Sequence, residues 1–299
     1  AAVTPADATH ERASTLGQRW GAWGAAYGGS SKVNGEGVVL GSHNVSPATY
    51  GVAAGADYRV SPDTVLGFAA AGGVANWGLS DGLGSGRGDV FQLGAYGMHM
   101  AGPAYISGAL AYAWHGMSTD RTVTVTGFDR LTAGFDAHGF TGRIEGGYRL
   151  ATGMAGVTPY AALQAQVLHT PAYAENVASG TSTFALSYGA RDVGTVRTEL
   201  GARFDQTITV DANATLVLRS QAAWVHDTNT DRSATALFQT LPGSAFTVYG
   251  AALPKDAALL RGGADLRLAN NVTLGARVSG ELAAGARSIA GQASLRYAW

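Results

Sequence analysis

The segment from Ile289 to Trp299 alternates strictly between two classes of side chain and ends on an aromatic residue. Apolar, glycine and aromatic residues occupy every second position, namely Ile289, Gly291, Ala293, Leu295, Tyr297 and Trp299. Side chains alternate between the two faces of a β-strand, so the pattern predicts a strand with one apolar and one more polar face. Exposed in water, such a strand would invite aggregation. In an outer-membrane barrel it would close the sheet and place Trp299 at a lipid–water interface.

The composition favours a barrel and argues against several other classes of protein. The chain has 299 residues, 43 glycines, 14% charged residues, no cysteine and a net charge of −1. Without cysteine there are no disulfides, thiol catalysts or cysteine metal ligands, and the near-zero charge gives no sign of nucleic-acid binding. Glycines and the Gly102-Pro103 pair disfavour a spanning helix in the uncharged stretch 90–119. Since no leader precedes Ala1, we expect a processed or excised part of a longer protein.

Twelve segments have the alternation and the length of membrane-spanning strands, an even number as in bacterial single-chain barrels. In chain order they are 19–30, 48–60, 62–78, 87–101, 103–118, 136–150, 157–172, 192–206, 211–227, 256–269, 271–284 and 287–299. Short turns, one of them at 207–210, alternate with longer loops, which include 79–86, 119–135, 173–191 and 228–255. We therefore expect an all-β transmembrane fold, a 12-stranded antiparallel outer-membrane β-barrel.

The charged residues within each predicted strand share one parity, and large apolar residues occupy the other. In a membrane barrel the charged face lines the lumen, whereas a soluble sandwich or lipocalin-like barrel would show the same pattern inverted. Alternation alone does not separate these folds; strand length, loop asymmetry and Trp299 favour the membrane. The predicted lumen-lining residues, which we expect to pair with one another, are Arg143, Glu145, Arg149, Arg197, Glu199, Arg203, Arg219, Arg261, Asp265, Arg267, Arg277 and Glu281.

The N-terminal segment has the signals of a short helix. Thr4-Pro5-Ala6-Asp7 provides an N-cap, a proline at the first helical position and an acidic third position, and Gly17 is a plausible stop. Polar residues surround this helix, among them Asp7, His10, Glu11 and Arg12. A helix that is polar all round suits a charged lumen better than an apolar core. We expect residues 1–18 to form a linker helix that plugs the lumen and 19–299 to form the barrel; the alternative is a frayed tail.

Together these features resemble the C-terminal translocator domain of an autotransporter, the type V secretion system. The resemblance covers nearly the whole chain and includes Trp20-Gly21-Ala22-Trp23, Gly146-Gly147-Tyr148, Gly262-Gly263-Ala264-Asp265 and the terminal Leu-Arg-Tyr-Ala-Trp. It implies a monomeric translocator in the outer membrane of a Gram-negative bacterium, through which an N-terminal passenger reaches the cell surface. It also implies that the barrel assembly machinery of the outer membrane reads Leu295, Tyr297 and Trp299. The predicted helix lacks the Asn pair at which some members release their passenger.

Two other functions remain open on the sequence alone. A free-standing outer-membrane pore would share every feature of the strands. Asp136 and His138 are similar to the Asp/His pair of omptin-type surface proteases, but no Asp-x-Asp supplies the second acidic pair. No Gly-x-Ser-x-Gly motif and no zinc-helix histidine spacing occur, so we expect no enzyme, cofactor or metal. Arg87-Gly88-Asp89 matches an adhesion tripeptide that also arises often by chance.

Overall fold

Twelve long antiparallel strands form a closed barrel, as the sequence predicts. The computed structural model describes residues 19–35, 42–125, 127–230 and 232–299, so the predicted luminal helix at 1–18 lies outside the described residues. The barrel strands are β1 (Trp20–Val33), β2 (Ala48–Ser61), β3 (Thr64–Gly78), β4 (Gly84–Ala101), β5 (Ala104–Val123), β6 (Asp129–Tyr148), β7 (Ala155–Thr170), β8 (Arg191–Asp211), β9 (Ala214–Asp227), β10 (Asp256–Leu268), β11 (Val272–Ala283) and β12 (Ala286–Ala298).

Pairing between the first and the last strand closes the sheet. Each strand pairs with its neighbours in the chain, and β1 pairs with β12 from Gly21 opposite Ala298 to Val33 opposite Ala286. The backbones of Trp20 and Trp299 also exchange hydrogen bonds of 3.1 and 2.9 Å. Closure satisfies the backbone hydrogen bonds of all twelve strands and leaves no open edge, which is the condition for β-structure in lipid.

The exposure of the side chains decides between the two barrels that the alternation allowed. Large apolar residues lie on the outer wall, where Leu110 and Phe140 are 71% and 62% exposed. Charged residues of the opposite parity, such as Glu145, Glu199 and Asp265, are buried inside. An apolar exterior around a charged interior is the arrangement of a membrane barrel and the inverse of a soluble one. No helix among the described residues is long and apolar enough to cross a membrane.

Two predicted connections are wrong because strands run further than expected. The turn predicted at 207–210 lies inside β8, and the chain turns at 212–213, where the Asn213 amide donates to Asp211 Oδ1 at 2.7 Å. The β-branched residues before Asp211 favour this extension. The loop predicted at 119–135 shrinks to 124–128. Charged residues of this segment pair from within strands, since Arg130 on β6 donates to Asp120 on β5.

A small second sheet forms where the sequence predicted only long loops. Its strands are Phe246–Tyr249, Ser233–Phe238, Leu186–Tyr188 and Tyr173–Ala174, in that spatial order. Asn176–Ser179 pairs with the start of β6 and attaches this outer sheet to the barrel. All these residues come from the two longest loops, at 171–190 and 228–255. The shorter elements are the strand Leu150–Thr152 before β7 and a single 3₁₀ turn at Ser80–Gly82.

Candidate functional site in the barrel lumen

The inner wall between β6 and β8 carries a buried cluster of charges. The register places Glu145 of β6 and Glu199 of β8 on either side of Ala162 of β7. Because alanine has only a methyl side chain, Arg143 can reach across β7 and donate to Glu199 at 2.9 Å. Two carboxylates therefore lie at one level of the barrel, with arginines between them. The small residue on β7 is what lets strands that are not neighbours interact.

Glu145 is the centre of this cluster. It accepts hydrogen bonds from Arg143 Nη2 at 2.8 Å, from Arg203 Nη1 and Nη2 at 2.7 and 2.9 Å, and from the Tyr105 hydroxyl at 2.7 Å. Its side chain is almost fully buried. The Arg203 guanidinium lies 4.0 Å from the centroid of the Tyr160 ring. Burial of charge is costly unless every charge is paired and hydrogen-bonded, and the cluster meets that requirement for Glu145.

Further ion pairs continue the cluster around the inner wall. Arg149 binds Asp205 at 2.5 Å, Arg197 binds Asp227 at 3.3 Å and Glu281 at 2.5 Å, and Arg277 binds Asp265 at 3.3 Å. Arg219 also binds Asp265. Arg261 donates to the neutral Gln221 at 3.5 Å, and Arg267 lies six residues further along the same strand. The structure thus places the twelve charged residues expected in the lumen on the inner wall, and it joins at least ten of them in ion pairs.

Several residues of the cluster were not among the predicted lumen-lining side chains. Tyr105 and Tyr160 donate to Glu145 and Glu199, at 2.7 and 3.3 Å. Near the closure of β12 on β1, Arg296 binds Asp57 at 2.5 Å, and the Tyr96 hydroxyl donates to the same carboxylate at 3.2 Å. The sequence could have identified these two tyrosines by the parity of their positions. Tyr105 and Tyr160 lie at inward-facing positions of their strands, whereas most aromatic residues of the strands face outward.

A cavity of about 490 Å³ remains against the wall formed by β8 to β12 and β1. Six arginines and one aspartate are the charged side chains among its described lining residues. They are Arg149, Arg203, Asp205, Arg219, Arg261, Arg267 and Arg277. The lining of this cavity therefore has more arginine than carboxylate side chains, and the ion pairs described above compensate part of their charge. Among the described residues, no three His, Asp or Glu side chains are grouped so that they could hold a metal ion.

The outer sheet packs against the inward-facing side of the β5–β6 hairpin, above the mouth of the lumen. Arg121 of β5 donates to both oxygens of Glu175 at 2.8 and 2.6 Å, and Glu175 also accepts from the Leu186 amide at 2.9 Å. Tyr173 and Tyr188 stack there with ring centroids 4.7 Å apart. Burial raises the pKa of both tyrosine hydroxyls above the ordinary value. The outer sheet thus has a buried ion pair and packed aromatic rings of its own.

The protease-like pair and the adhesion tripeptide lie on the outer wall. His138 has the same parity as the outward-facing Phe140, and its Nδ1 lies 2.8 Å from the Tyr112 hydroxyl. Asp136 shares that face, so the two residues face away from the lumen. Arg87 and Asp89 lie within β4 and pair with each other at 2.9 Å. Arg87 also lines a depression of the outer wall together with Asp120 and Asn176.

The predicted assembly residues lie together on the outer wall of the last strand. Leu295, Tyr297 and Trp299 are about half exposed, with Trp299 at 49%. The rings of Tyr297 and Trp299 stack with centroids 5.7 Å apart. Their position beside Trp20 is at the end of the barrel that carries the short turns. The predicted plug residues Asp7, His10, Glu11 and Arg12 lie outside the described residues.

Comparisons with known proteins agree with this architecture. A protein-family model for the autotransporter beta-domain matches residues 22–279. The translocator domain of the autotransporter NalP from Neisseria meningitidis superposes with a TM-score of 0.77 at 17% identity, covering 97% of this chain and 90% of that one. The beta domain of the Bordetella autotransporter BrkA gives 0.64 at 16% identity, covering 93% and 99%. These structures share the fold.

Curated sequence relatives are much longer than this chain. An extracellular serine protease of Serratia marcescens is 27% identical over 266 residues, which cover 88% of this chain and 24% of the protease. This chain therefore spans about a quarter of the length of the curated relatives it matches. The family match covers most of the barrel, and the closed charged lumen agrees with it. The chain belongs to the autotransporter β-domain family and is a translocator β-barrel of the outer membrane of a Gram-negative bacterium.

Proposed function

We propose that this barrel is one part of a longer protein and that it enables an N-terminal passenger to reach the cell surface. The observation that carries the proposal is the autotransporter beta-domain match over residues 22–279. The length of the curated relatives, of which this chain spans about a quarter, supports a large additional region. The protease activity in their name is that of those proteins, and we propose no catalytic role for this barrel.

Residues 1–18 would occupy the lumen as a helix. They precede β1, which begins at Trp20 at the end of the barrel with the short turns. With Pro5 at the first helical position and Gly17 as the stop, the helix would span about 18 Å, more than half the thickness of a bilayer core. A helix with polar residues on every side suits an inner wall lined by arginines and carboxylates.

Deletion of residues 1–18 tests the plug. The deleted barrel should show higher single-channel conductance in planar bilayers, because a helix about 10 Å wide would no longer fill the lumen. The matched control is Asp7→Asn with Glu11→Gln, which keeps the bulk of the segment and should keep the low conductance. Equal conductance for the deleted and the full chain would place the segment outside the pore.

A reporter fusion tests the passenger route. A small folded reporter behind a signal peptide is fused ahead of Ala1, and its accessibility to protease added outside intact cells is measured. Surface exposure of the reporter is the expected result. The control fusion carries Leu274→Arg, which charges the lipid-facing wall and should prevent insertion. A reporter retained in the periplasm by a correctly inserted, conducting barrel would favour the free-standing pore instead.

We also propose that the barrel acts as a monomer and that the assembly machinery recognises its last strand. The closed sheet supports the monomer, since it leaves no unpaired edge for a second copy. The outward stack of Tyr297 and Trp299 supports recognition, because these rings are accessible without opening the barrel. Mass measurement of the detergent complex tests the first point, and a Trp299 variant tests the second.

A further inference from the structure

The outer wall of the barrel carries few cationic side chains, and they fall into two groups. The arginines and lysines that face outward from the described barrel strands are Lys32, Arg87, Arg130 and Arg287. Arg87 pairs with Asp89 at 2.9 Å, and Arg130 pairs with Asp120. Among the described residues, the side chains of Lys32 and Arg287 have no such carboxylate partner. These two residues are therefore the uncompensated cations of the outer wall.

Lys32 and Arg287 lie directly opposite each other where β12 closes on β1. The register pairs them, and it places Leu282 of β11 in the same row. Both cationic side chains are exposed. Side chains that are directly opposed on neighbouring strands have Cβ atoms about 5 Å apart, and like charges in such a pair destabilise the sheet. An anion bound between the two side chains would remove this repulsion.

The height of the two cations on the barrel is that of the outer lipid headgroups. Lys32 is twelve residues along β1 from Trp20, and Arg287 is twelve residues along β12 from Trp299. Twelve residues of strand measure about 40 Å, and a tilt of about 40° leaves about 30 Å along the membrane normal. This distance matches the hydrocarbon core of a bilayer. Because the tryptophans lie at the end with the short turns, the cations lie at the opposite interface, on the cell-surface side.

The wall between the tryptophans and the cations is uncharged and contains exposed apolar side chains. Its outward-facing positions are Ala22, Gly24, Ala26, Gly28 and Ser30 on β1 and Ile289, Gly291, Ala293, Leu295 and Tyr297 on β12. Ile289 and Leu282, which lie beside Arg287, are 59% and 55% exposed. Acyl chains can pack on this surface while a headgroup lies at the level of the cations. An apolar wall with cations at its upper border fits a phosphorylated lipid and offers a soluble anion only half of its contacts.

We propose that Lys32 and Arg287 form a binding site for the phosphate groups of a lipid in the outer leaflet. Ammonium and guanidinium groups bind phosphate oxygens through charge-assisted hydrogen bonds, and the guanidinium fork offers two donors at once. Basic side chains at a membrane surface attract anionic lipids in the same way. The exposed hydroxyl of Ser30, on the same face two residues before Lys32, adds a further donor. The site is independent of the passenger route, because a barrel can translocate a chain without holding one particular lipid.

Native mass spectrometry of the full chain in nonionic detergent tests the site with lipid A, a glycolipid that carries two phosphate groups. We expect one bound lipid A and roughly tenfold weaker binding of its dephosphorylated form. Equal binding of the two forms would mean that the acyl chains alone bind, and it would overturn the proposal. Displacement of lipid A by an equimolar amount of inorganic phosphate would identify a site for soluble anions and would overturn the assignment to a lipid.

Variants of the two cations test the location of the site. Lys32→Gln and Arg287→Gln should each weaken lipid A binding roughly fivefold, and the double variant roughly 30-fold. Lys32→Arg keeps the charge and should keep the binding. The matched control is Lys255→Gln, which removes the same charge from the loop before β10 and should leave binding unchanged. Heat-modifiable migration verifies folding, and the single variants decide the question if the double variant does not fold. Unchanged binding by the folded Lys32→Gln and Arg287→Gln proteins, or an equal loss in Lys255→Gln, would refute the site.

Discussion

Replacing Glu145 with glutamine should destabilise the barrel far more than replacing an exposed carboxylate. Glu145 is 3% exposed and accepts hydrogen bonds from Arg143, Arg203 and the Tyr105 hydroxyl. In Glu145→Gln, Arg143 keeps Glu199 as a partner at 2.9 Å. Arg203 keeps only neutral groups among its described contacts, so one buried charge loses its compensation.

The expected cost follows from that single uncompensated charge. Breaking a buried ion pair costs about 3–5 kcal/mol, and the remaining polar and aromatic contacts of Arg203 favour the lower end of this range. The control is Asp192→Asn on the outer wall, where the Asp192 side chain is 71% exposed and pairs with His169. An exposed pair is worth about 0–1 kcal/mol.

Unfolding of the barrel in lipid vesicles by guanidinium chloride, followed by tryptophan fluorescence, measures the change in the free energy of unfolding for Glu145→Gln and for Asp192→Asn. The double variant Glu145→Gln with Arg203→Gln should lose less than the sum of the two single variants, because the charge and its partner leave together. Equal losses for Glu145→Gln and Asp192→Asn would refute the argument. Such a result would mean that water in the lumen solvates the cluster.

Three other predictions concern the outer wall and the outer sheet. Leu274→Arg puts a charge into lipid and should lower the free energy of unfolding by about 2–4 kcal/mol. Gln292→Arg adds a charge to the lumen and should have a smaller effect. Equal effects of the two variants on heat-modifiable folding would contradict the assignment of the two faces. Trp299→Asp should slow insertion in pulse-chase experiments on cells much more than refolding in detergent, since the sheet keeps its pairing; a normal insertion rate would leave Trp299 as an interfacial anchor. The raised pKa of Tyr188 means that its contribution to the outer sheet is complete below about pH 10 and is lost as the pH rises further. In a pH titration, tyrosinate absorbance should therefore show a transition above about pH 10 that is absent from Tyr188→Phe. Identical titration curves for the two proteins would contradict this.

The strands and their two faces could be predicted because both depend on local geometry. Successive side chains of a strand alternate between its faces, so the shared parity of Arg197, Glu199 and Arg203 can be read from the order of the residues alone. Boundaries were less certain where charges occur near strand ends. The segment 119–135 was predicted to be a loop, and only the pairing of Asp120 with Arg130 across the β5–β6 hairpin shows why the strands continue.

The partners within the charged site could not be predicted from the sequence. Arg296 binds Asp57, 239 residues away, only because β12 closes on β1 and brings β2 within reach. Arg143 binds Glu199 across a third strand because Ala162 leaves the space open. Each contact depends on strand order and register, which alternation does not encode. The outer sheet was missed for the same reason, since its strands are two to six residues long and come from different loops.

By itself, the sequence determined that the chain forms about twelve amphipathic strands and which residues share a face. A period of two is a local property of extended backbone, and it is present in the order of the residues. Only the tertiary structure decided that the charged face lies inside, because a soluble barrel and a membrane barrel have the same alternation with opposite solvents. Closure of β1 on β12 turns a two-faced sheet into an apolar exterior and a charged, ion-paired lumen. Which face points into the lumen is therefore a property of the closed sheet and of the medium around it.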